Sequence, residues 1–190
     1  MRRGCFSEAE KHFRKAIERC TWKNPNPYDS EPYYNLGLSL WYQRRMDEAF
    51  DAFYKASWSN EQQEMSFYYL GCIEAARGNL ESALELTEKG LVKNGHNVKA
   101  RGLKAYLLRR LERLEEAKRL IAESLKLDSF DYISRLELAR IDREHREALL
   151  EEVRVLARNF RETYLMIARD YAEYGAFEEA VQALGLCRES

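Results

Sequence analysis

Tyr33-Tyr34-Asn35-Leu36-Gly37 is answered thirty-four residues later by Phe67-Tyr68-Tyr69-Leu70-Gly71. A punctuation of aromatic, leucine and glycine returning at a fixed interval marks a chain built from copies of one small stacked unit. The interval persists downstream of both stretches: Ala49 aligns with Ala83 and Ala117, and Gly71 with Ala105 and Ala139. Four successive units therefore keep one register. Toward the C-terminus the spacing shortens, with Ile167-Ala168 and Tyr171 opening a helix, Gly175 breaking it and Phe177-Glu178-Glu179-Ala180 starting another. At the other end Ala9, Phe13 and Ala16 read as the second helix of a unit without its first, either a piece of a longer chain or an incomplete repeat.

Spacing inside the unit is helical. Leu36, Gly37 and Leu40 share one face, as do Leu103, Leu107 and Leu111, while Lys, Arg and Glu fill the positions between. No run alternates with a period of two long enough to make a strand. Helix starts are signalled by Asp29 or Ser30 ahead of Glu31-Pro32, and stops by Gly78-Asn79, Gly90, Gly95 and Gly175. Eleven helices are expected, at 5–22, 30–43, 46–59, 62–76, 80–92, 96–109, 113–126, 130–142, 144–158, 161–174 and 177–187. Gly37, Gly71, Ala105, Ala139 and Ala168 stand where the first helix of a hairpin must approach the second, and Ala49, Ala83, Ala117 and Ala180 supply the low side chains opposite. The expected class is all-α, a right-handed superhelical solenoid of antiparallel helix hairpins. It forms a single unit over 1–190, with about five hairpins after a leading unpaired helix.

Composition narrows the function. A chain of 190 residues with 45% hydrophobic and 33% charged residues, 9 Gly and 3 Pro is outside the disordered and collagen-like ranges. The 31 Lys and Arg against 32 Asp and Glu, a net charge of -1, provide no global field for nucleic acid or an acidic membrane, so neither is expected as a partner. No apolar run reaches the roughly 18 residues of a membrane span, and Met1-Arg2-Arg3 leads into a charged amphipathic stretch rather than a signal-peptide core. The expected location is the cytoplasm.

Catalytic constellations are missing from the sequence. Cys5, Cys20, Cys72 and Cys187 form no CxxC pair, and His12, His96 and His145 are far apart, so no disulfide framework, metal or cofactor is expected. Glu115-Glu116, Glu151-Glu152 and Glu178-Glu179 are neighbours on helices and read as surface charges near helix starts, not as carboxylates opposed across a substrate. With no nucleophile–base pair and no phosphate loop, the chain reads as non-catalytic.

The motifs Tyr33-x-x-Leu36-Gly37-x-x-Leu40, Ala49-x-x-x-Phe53-x-x-Ala56 and Tyr68-x-Leu70-Gly71, with Gly78, Ala83 and Gly90, resemble the tetratricopeptide repeat family. From Lys99 to Arg158 the pattern weakens, because alanine replaces the repeat glycine and no turn glycine occurs. The stretch from Thr21 to Gly37 also resembles the C-terminal repeat region of bacterial multidomain proteins in which a β-rich, carbohydrate-active-like module precedes the repeats. The first resemblance implies a concave groove lined by the first helices. Its groove positions fall on Tyr34, Asn35, Leu38, Trp41 and Tyr42, then Tyr68, Tyr69 and Cys72, an aromatic wall. A basic wall follows, with Lys99, Tyr106, Arg109 and Arg110, then Arg140 and Arg143, then Met166 and Arg169.

Such walls suit an extended peptide or a helix with apolar anchors and an acidic segment, since arginine grips carboxylates bidentately and aromatic rings give contact area at low rotamer cost. Tyrosine and tryptophan at helical spacing equally read as inter-repeat core, and Asn35 as an ordinary helix-surface residue. Asn35 and Lys99 match two positions of the family's carboxylate clamp, but Leu103 stands where that clamp wants a base. The functional expectation is a protein- or peptide-binding scaffold. The alternative is an intramolecular docking or self-association module of a larger, carbohydrate-active-like protein, with homo-oligomers forming through the terminal repeats.

Overall fold

Close helix approach sets this architecture, and the smallest side chains permit it. The computed structural model describes residues 4–24 and 29–187. Pro25 and Pro27, expected from the sequence alone to fix an extended entry into the next helix, lie outside the described residues. Among those described, the chain forms eleven α-helices: α1 (Phe6–Thr21), α2 (Glu31–Tyr42), α3 (Met46–Ala56), α4 (Gln63–Ala76), α5 (Leu80–Lys93), α6 (Val98–Arg110), α7 (Leu114–Leu127), α8 (Tyr132–Ile141), α9 (Arg146–Ala157), α10 (Arg161–Glu173) and α11 (Phe177–Leu184). Every helix expected from the sequence is present, with ends shifted by three residues or fewer.

Helices α2/α3, α4/α5, α6/α7 and α8/α9 form antiparallel hairpins that stack in order. The small residues sit where the sequence put them. A Cβ on Gly37 would lie 2.7 Å from the Phe53 ring, and one on Gly71 would lie 2.6 Å from Thr87 Oγ1. Ala49, Ala83, Ala105 and Ala117 have no exposed surface. Gly90 differs from expectation: it lies inside α5, where its missing side chain lets Glu64 and Phe67 of α4 come close, and does not stop the helix. Nor does Ser30 cap α2. Its hydroxyl donates to the Ala56 carbonyl, and Asp29 instead accepts from the Glu31 amide at 2.8 Å.

Four of the five hairpin turns share one device, the α8–α9 turn being the exception. The amides of Arg45, Asn79, Arg113 and Ala176 donate to the carbonyls of Leu40, Glu74, Leu108 and Tyr171, five residues back in every case. This is the six-to-one bond of a helix-ending Schellman turn, which needs a left-handed residue just before the donor. That residue is Arg44 (φ 62°), Gly78 (φ 84°), Glu112 (φ 59°) and Gly175 (φ 77°). Two of the four turns thus hold side chains where glycine is favoured.

The last hairpin departs from a linear array. Rather than stacking on α9, the chain reverses at Arg158 and Asn159 and lays α10 and α11 across the inner helices α4, α6 and α8. The cause is written on α10: Tyr164, Ile167, Ala168 and Tyr171 recur at helical spacing, continue to Tyr174, and are all buried. At the other end α1 packs on α2 through Phe6 stacked on Tyr42 at 4.8 Å and through Glu10 paired with Arg45 at 2.6 Å.

Replacing Glu112 or Arg44 by glycine is expected to raise stability by about 0.5–1 kcal/mol each, since an exposed left-handed residue loses its Cβ clash. Gly78→Ala is expected to lower it by a similar amount. Urea unfolding followed by circular dichroism measures all three.

Candidate partner-binding groove

The inner layer is continuous because α4 contacts α6 and α6 contacts α8, while rings of α2 reach α4. Its two walls have different environments. On the aromatic wall, Tyr69 of α4 stacks on Phe53 at 4.8 Å and meets Tyr34 at 6.3 Å and Trp41 at 5.3 Å. Trp41 is buried and serves the core, whereas Tyr34, Asn35, Leu38 and Tyr69 are half-buried and Tyr42 is 56% exposed. Asn35 donates to Glu31 at 3.3 Å. Burial, with Tyr42 and Glu64 nearby, pushes the Tyr34 hydroxyl up to about 12, and burial likewise raises that of Tyr69. Both hydroxyls are therefore neutral donors near pH 7.

The basic wall is brought together but is already engaged by the chain itself. Lys99 donates to Asp170 at 2.9 Å and to Glu173 at 3.2 Å, and Arg109 reaches Glu137 at 2.5 Å and Glu179 at 2.8 Å. Arg140 donates to the Tyr171 hydroxyl and to Gln182, both at 3.1 Å. Tyr68 and Tyr106 are buried beneath α10: the Tyr68 hydroxyl donates to Glu173 at 2.7 Å, and Tyr106 lies 5.0 Å from Tyr174. Gly175 completes the closure, since a Cβ there would lie 2.9 Å from Ala76 of α4. Arg169 points outward on α10, 64% exposed, near Asp170 and Glu173. Leu103 and Cys72 are core residues with no exposed surface.

The sequence reading took Glu178-Glu179 as surface charge. Glu179 is instead a half-buried clamp on Arg109, because α11 lies against the inner face rather than at a free end. Asp170, Glu173 and the fully buried Glu137 were not singled out as groove residues. A signal for two of them exists in Asp170-Tyr171-Ala172-Glu173-Tyr174, where an acid followed by a tyrosine repeats three residues apart and makes a double stripe on one helical face. Among the described residues no group of three or more His, Cys, Asp and Glu could hold a metal ion.

Arg109→Ala removes the shorter of two cation contacts to the fully buried Glu137, leaving Arg140 at 3.5 Å and the Tyr171 hydroxyl, and is expected to cost up to about 3–5 kcal/mol in urea unfolding. Burial would raise the Glu179 carboxyl, but the Arg109 hydrogen bond, a backbone hydrogen bond and the charges of Arg109 and Arg140 together outweigh it and hold that carboxyl below the ordinary range. A depressed carboxylate contributes stability above its unfolded pKa of about 4.3 and loses it as pH falls through the folded value. Acid titration is therefore expected to weaken the hairpin's hold below about pH 4.3, read as loss of near-ultraviolet dichroism from Tyr171 and Tyr174.

Residues 30–57 and 98–131 match the tetratricopeptide repeat family. No curated protein matches the sequence. Among solved structures, the chain is similar to YrrB, described as a TPR protein with an unusual peptide-binding site, at 20% identity over 94% of this chain and 92% of that one, with a TM-score of 0.64. It is similar also to a tetratricopeptide repeat protein from Parabacteroides merdae (18% identity, 99% and 75% covered, TM-score 0.73) and to PilF of Pseudomonas aeruginosa (15%, 96% and 82%, 0.67). At such identities the likeness is one of fold. The described residues form an all-helical solenoid in which two segments, 30–57 and 98–131, match the tetratricopeptide repeat family.

Proposed function

We propose that this chain is a non-catalytic protein-binding scaffold that receives an extended peptide on the aromatic part of its concave face, along α2 and the adjoining turn of α4. The observation that carries this reading is the platform of Tyr34, Leu38, Tyr42 and Tyr69, half-buried or exposed, on rings already fixed by stacking. Rigid aromatic residues supply contact area at little entropic cost, and the two neutral hydroxyls and Asn35 offer donors to a peptide backbone. The peptide-binding site ascribed to YrrB supports the class of ligand.

An acidic anchor is not part of this proposal, because Lys99, Arg109 and Arg140 are paired with the chain's own carboxylates, Arg140 with Glu137 at 3.5 Å. Docking onto a β-rich, carbohydrate-active-like module rests on the second resemblance alone. The non-catalytic reading rests on the absence of a nucleophile–base motif in the sequence, and no helix among the described residues is long and apolar enough to cross a membrane.

Peptides selected from a random display library against the whole chain test this directly. The double variant Leu38→Ala/Tyr42→Ala is expected to bind them at least tenfold more weakly, about 1.4 kcal/mol, with a melting transition lowered by the lost Phe6–Tyr42 stack but still cooperative and above the temperature of the binding assay. Lys118→Ala on the outer helix α7 is expected to bind them unchanged. Equal affinity for the wild type and the double variant overturns the assignment.

A further inference from the structure

Hairpin α10–α11 is attached to the repeat stack in an unusual way. It fills the basic wall but does not stack on α9, so its covalent link to the stack is the short connection through Arg158, Asn159 and Phe160. Arg158 and Asn159 are consecutive non-glycine residues in the left-handed region, at φ 49° and 55°. Elsewhere in the described chain such residues occur singly, at Arg44 and Glu112. Arg158 ends α9 as its left-handed cap, with local hydrogen bonds from its own amide to Val155 and from the Phe160 amide to Ala157. A second left-handed residue directly after it adds strain, most of it at the arginine since asparagine tolerates the region.

The hairpin's seat is chemically specific. Asp170 meets Lys99, Glu179 meets Arg109 and the Tyr171 hydroxyl donates to the buried Glu137 at 2.8 Å. None of these contacts depends on the two partners belonging to one chain. We propose that the hairpin is exchangeable: the basic part of the concave face is a homotypic recognition surface that takes α10–α11 from a second copy of this chain, giving a reciprocally swapped dimer.

The thermodynamic argument is conservation of contacts. Every hydrogen bond and ion pair of the closed monomer is remade between copies, so the balance depends on the hinge and on concentration. Short hinges under strain favour exchange, since opening lets the strained residues relax to extended or helical backbone. The surroundings of the hinge supply a further term. Val155 and Phe160 flank it at 67% and 59% exposure, and two open hinges running side by side would cover them against each other. This surface is separate from the aromatic platform of the proposed peptide site, so either assignment can fail without the other.

The Lys99–Asp170 pair provides the readout, because a carbodiimide joins a lysine amine to a carboxylate in contact with it. Light and heavy-isotope-labelled chains are mixed, unfolded in urea and refolded together across a range of concentrations. Gel filtration with light scattering then separates monomer from dimer, and each fraction is coupled and mapped by mass spectrometry. The expected result is a dimer that grows with concentration and contains mixed-isotope Lys99–Asp170 links, while the monomer contains same-isotope links only. Arg158→Gly, which relaxes the closed hinge and leaves the seat intact, is expected to reduce the dimer fraction several-fold. A strict monomer at every concentration overturns the proposal. So does a dimer carrying only same-isotope links, or one indifferent to Arg158→Gly.

Discussion

Glu137 is a fully buried carboxylate, and the C-terminal half of the molecule is organised around keeping it satisfied. It projects from α8 between Arg109 of α6 and the Tyr171 hydroxyl of α10, with Arg140 one helical turn along α8. A lone charge at this depth would be strongly unfavourable, and one ion pair rarely offsets the loss of hydration of both its members. Two cations and a hydroxyl do so here only because three helices converge. The contact therefore ties the last hairpin to its seat, since the Tyr171 hydroxyl reaches Glu137 only when α10 lies across the inner face.

The repeat solves a different problem. Each hairpin has too little apolar surface to bury by itself, so stability comes from stacking, and stacking requires every hairpin to close with the same geometry. Closure depends on short side chains at the crossing points and, in four of the five hairpins, on one left-handed residue in the turn. At Gly37 and Gly71 even a Cβ would clash, with the Phe53 ring and with Thr87, and at the remaining crossings the buried Ala49, Ala83, Ala105 and Ala117 leave no room for a longer side chain. At the turns the requirement is softer. A Cβ in the left-handed region costs on the order of a kilocalorie per mole, and Arg44 and Glu112 show that surrounding contacts outweigh it.

That difference explains what the sequence disclosed. Helix number and boundaries, the hairpin pairing and the small-residue crossings were legible because each rests on strict local periodicity or on a steric limit with no alternative. Arg44 and Glu112 were invisible as turn residues, since a tolerated conformation leaves no compositional mark, and at Glu112 the missing glycine made the segment after Lys99 look weaker than it is. Gly90 misled for the converse reason: a glycine demanded by interhelical contact resembles one demanded by a turn. The fold-back of α10 was legible only in part. Its buried stripe is plain in the sequence, but periodicity gives the face of a helix and not the surface that receives it. The carboxylates of Asp170-Tyr171-Ala172-Glu173-Tyr174 lie about seventy residues from Lys99, and no spacing rule operates over that distance.

The divided concave face follows from these constraints. Cations on the inner helices from α6 onward could have been left open for an external acid, but open they would repel one another along a low-dielectric trough. An internal hairpin that brings its own carboxylates removes the repulsion and closes the trough against the competing anions of solution. The aromatic wall carries no such charge and gains nothing from internal closure, so it can remain partly solvated at little cost. A partner arriving there exchanges water for rings and meets neutral donors, whereas anything entering the basic wall must first match the tyrosine and carboxylate pattern of the hairpin already in place. One scaffold can thus hold a broad surface beside a selective one, because the two are stabilised by different forces: apolar contact on the first, and satisfaction of buried charge on the second.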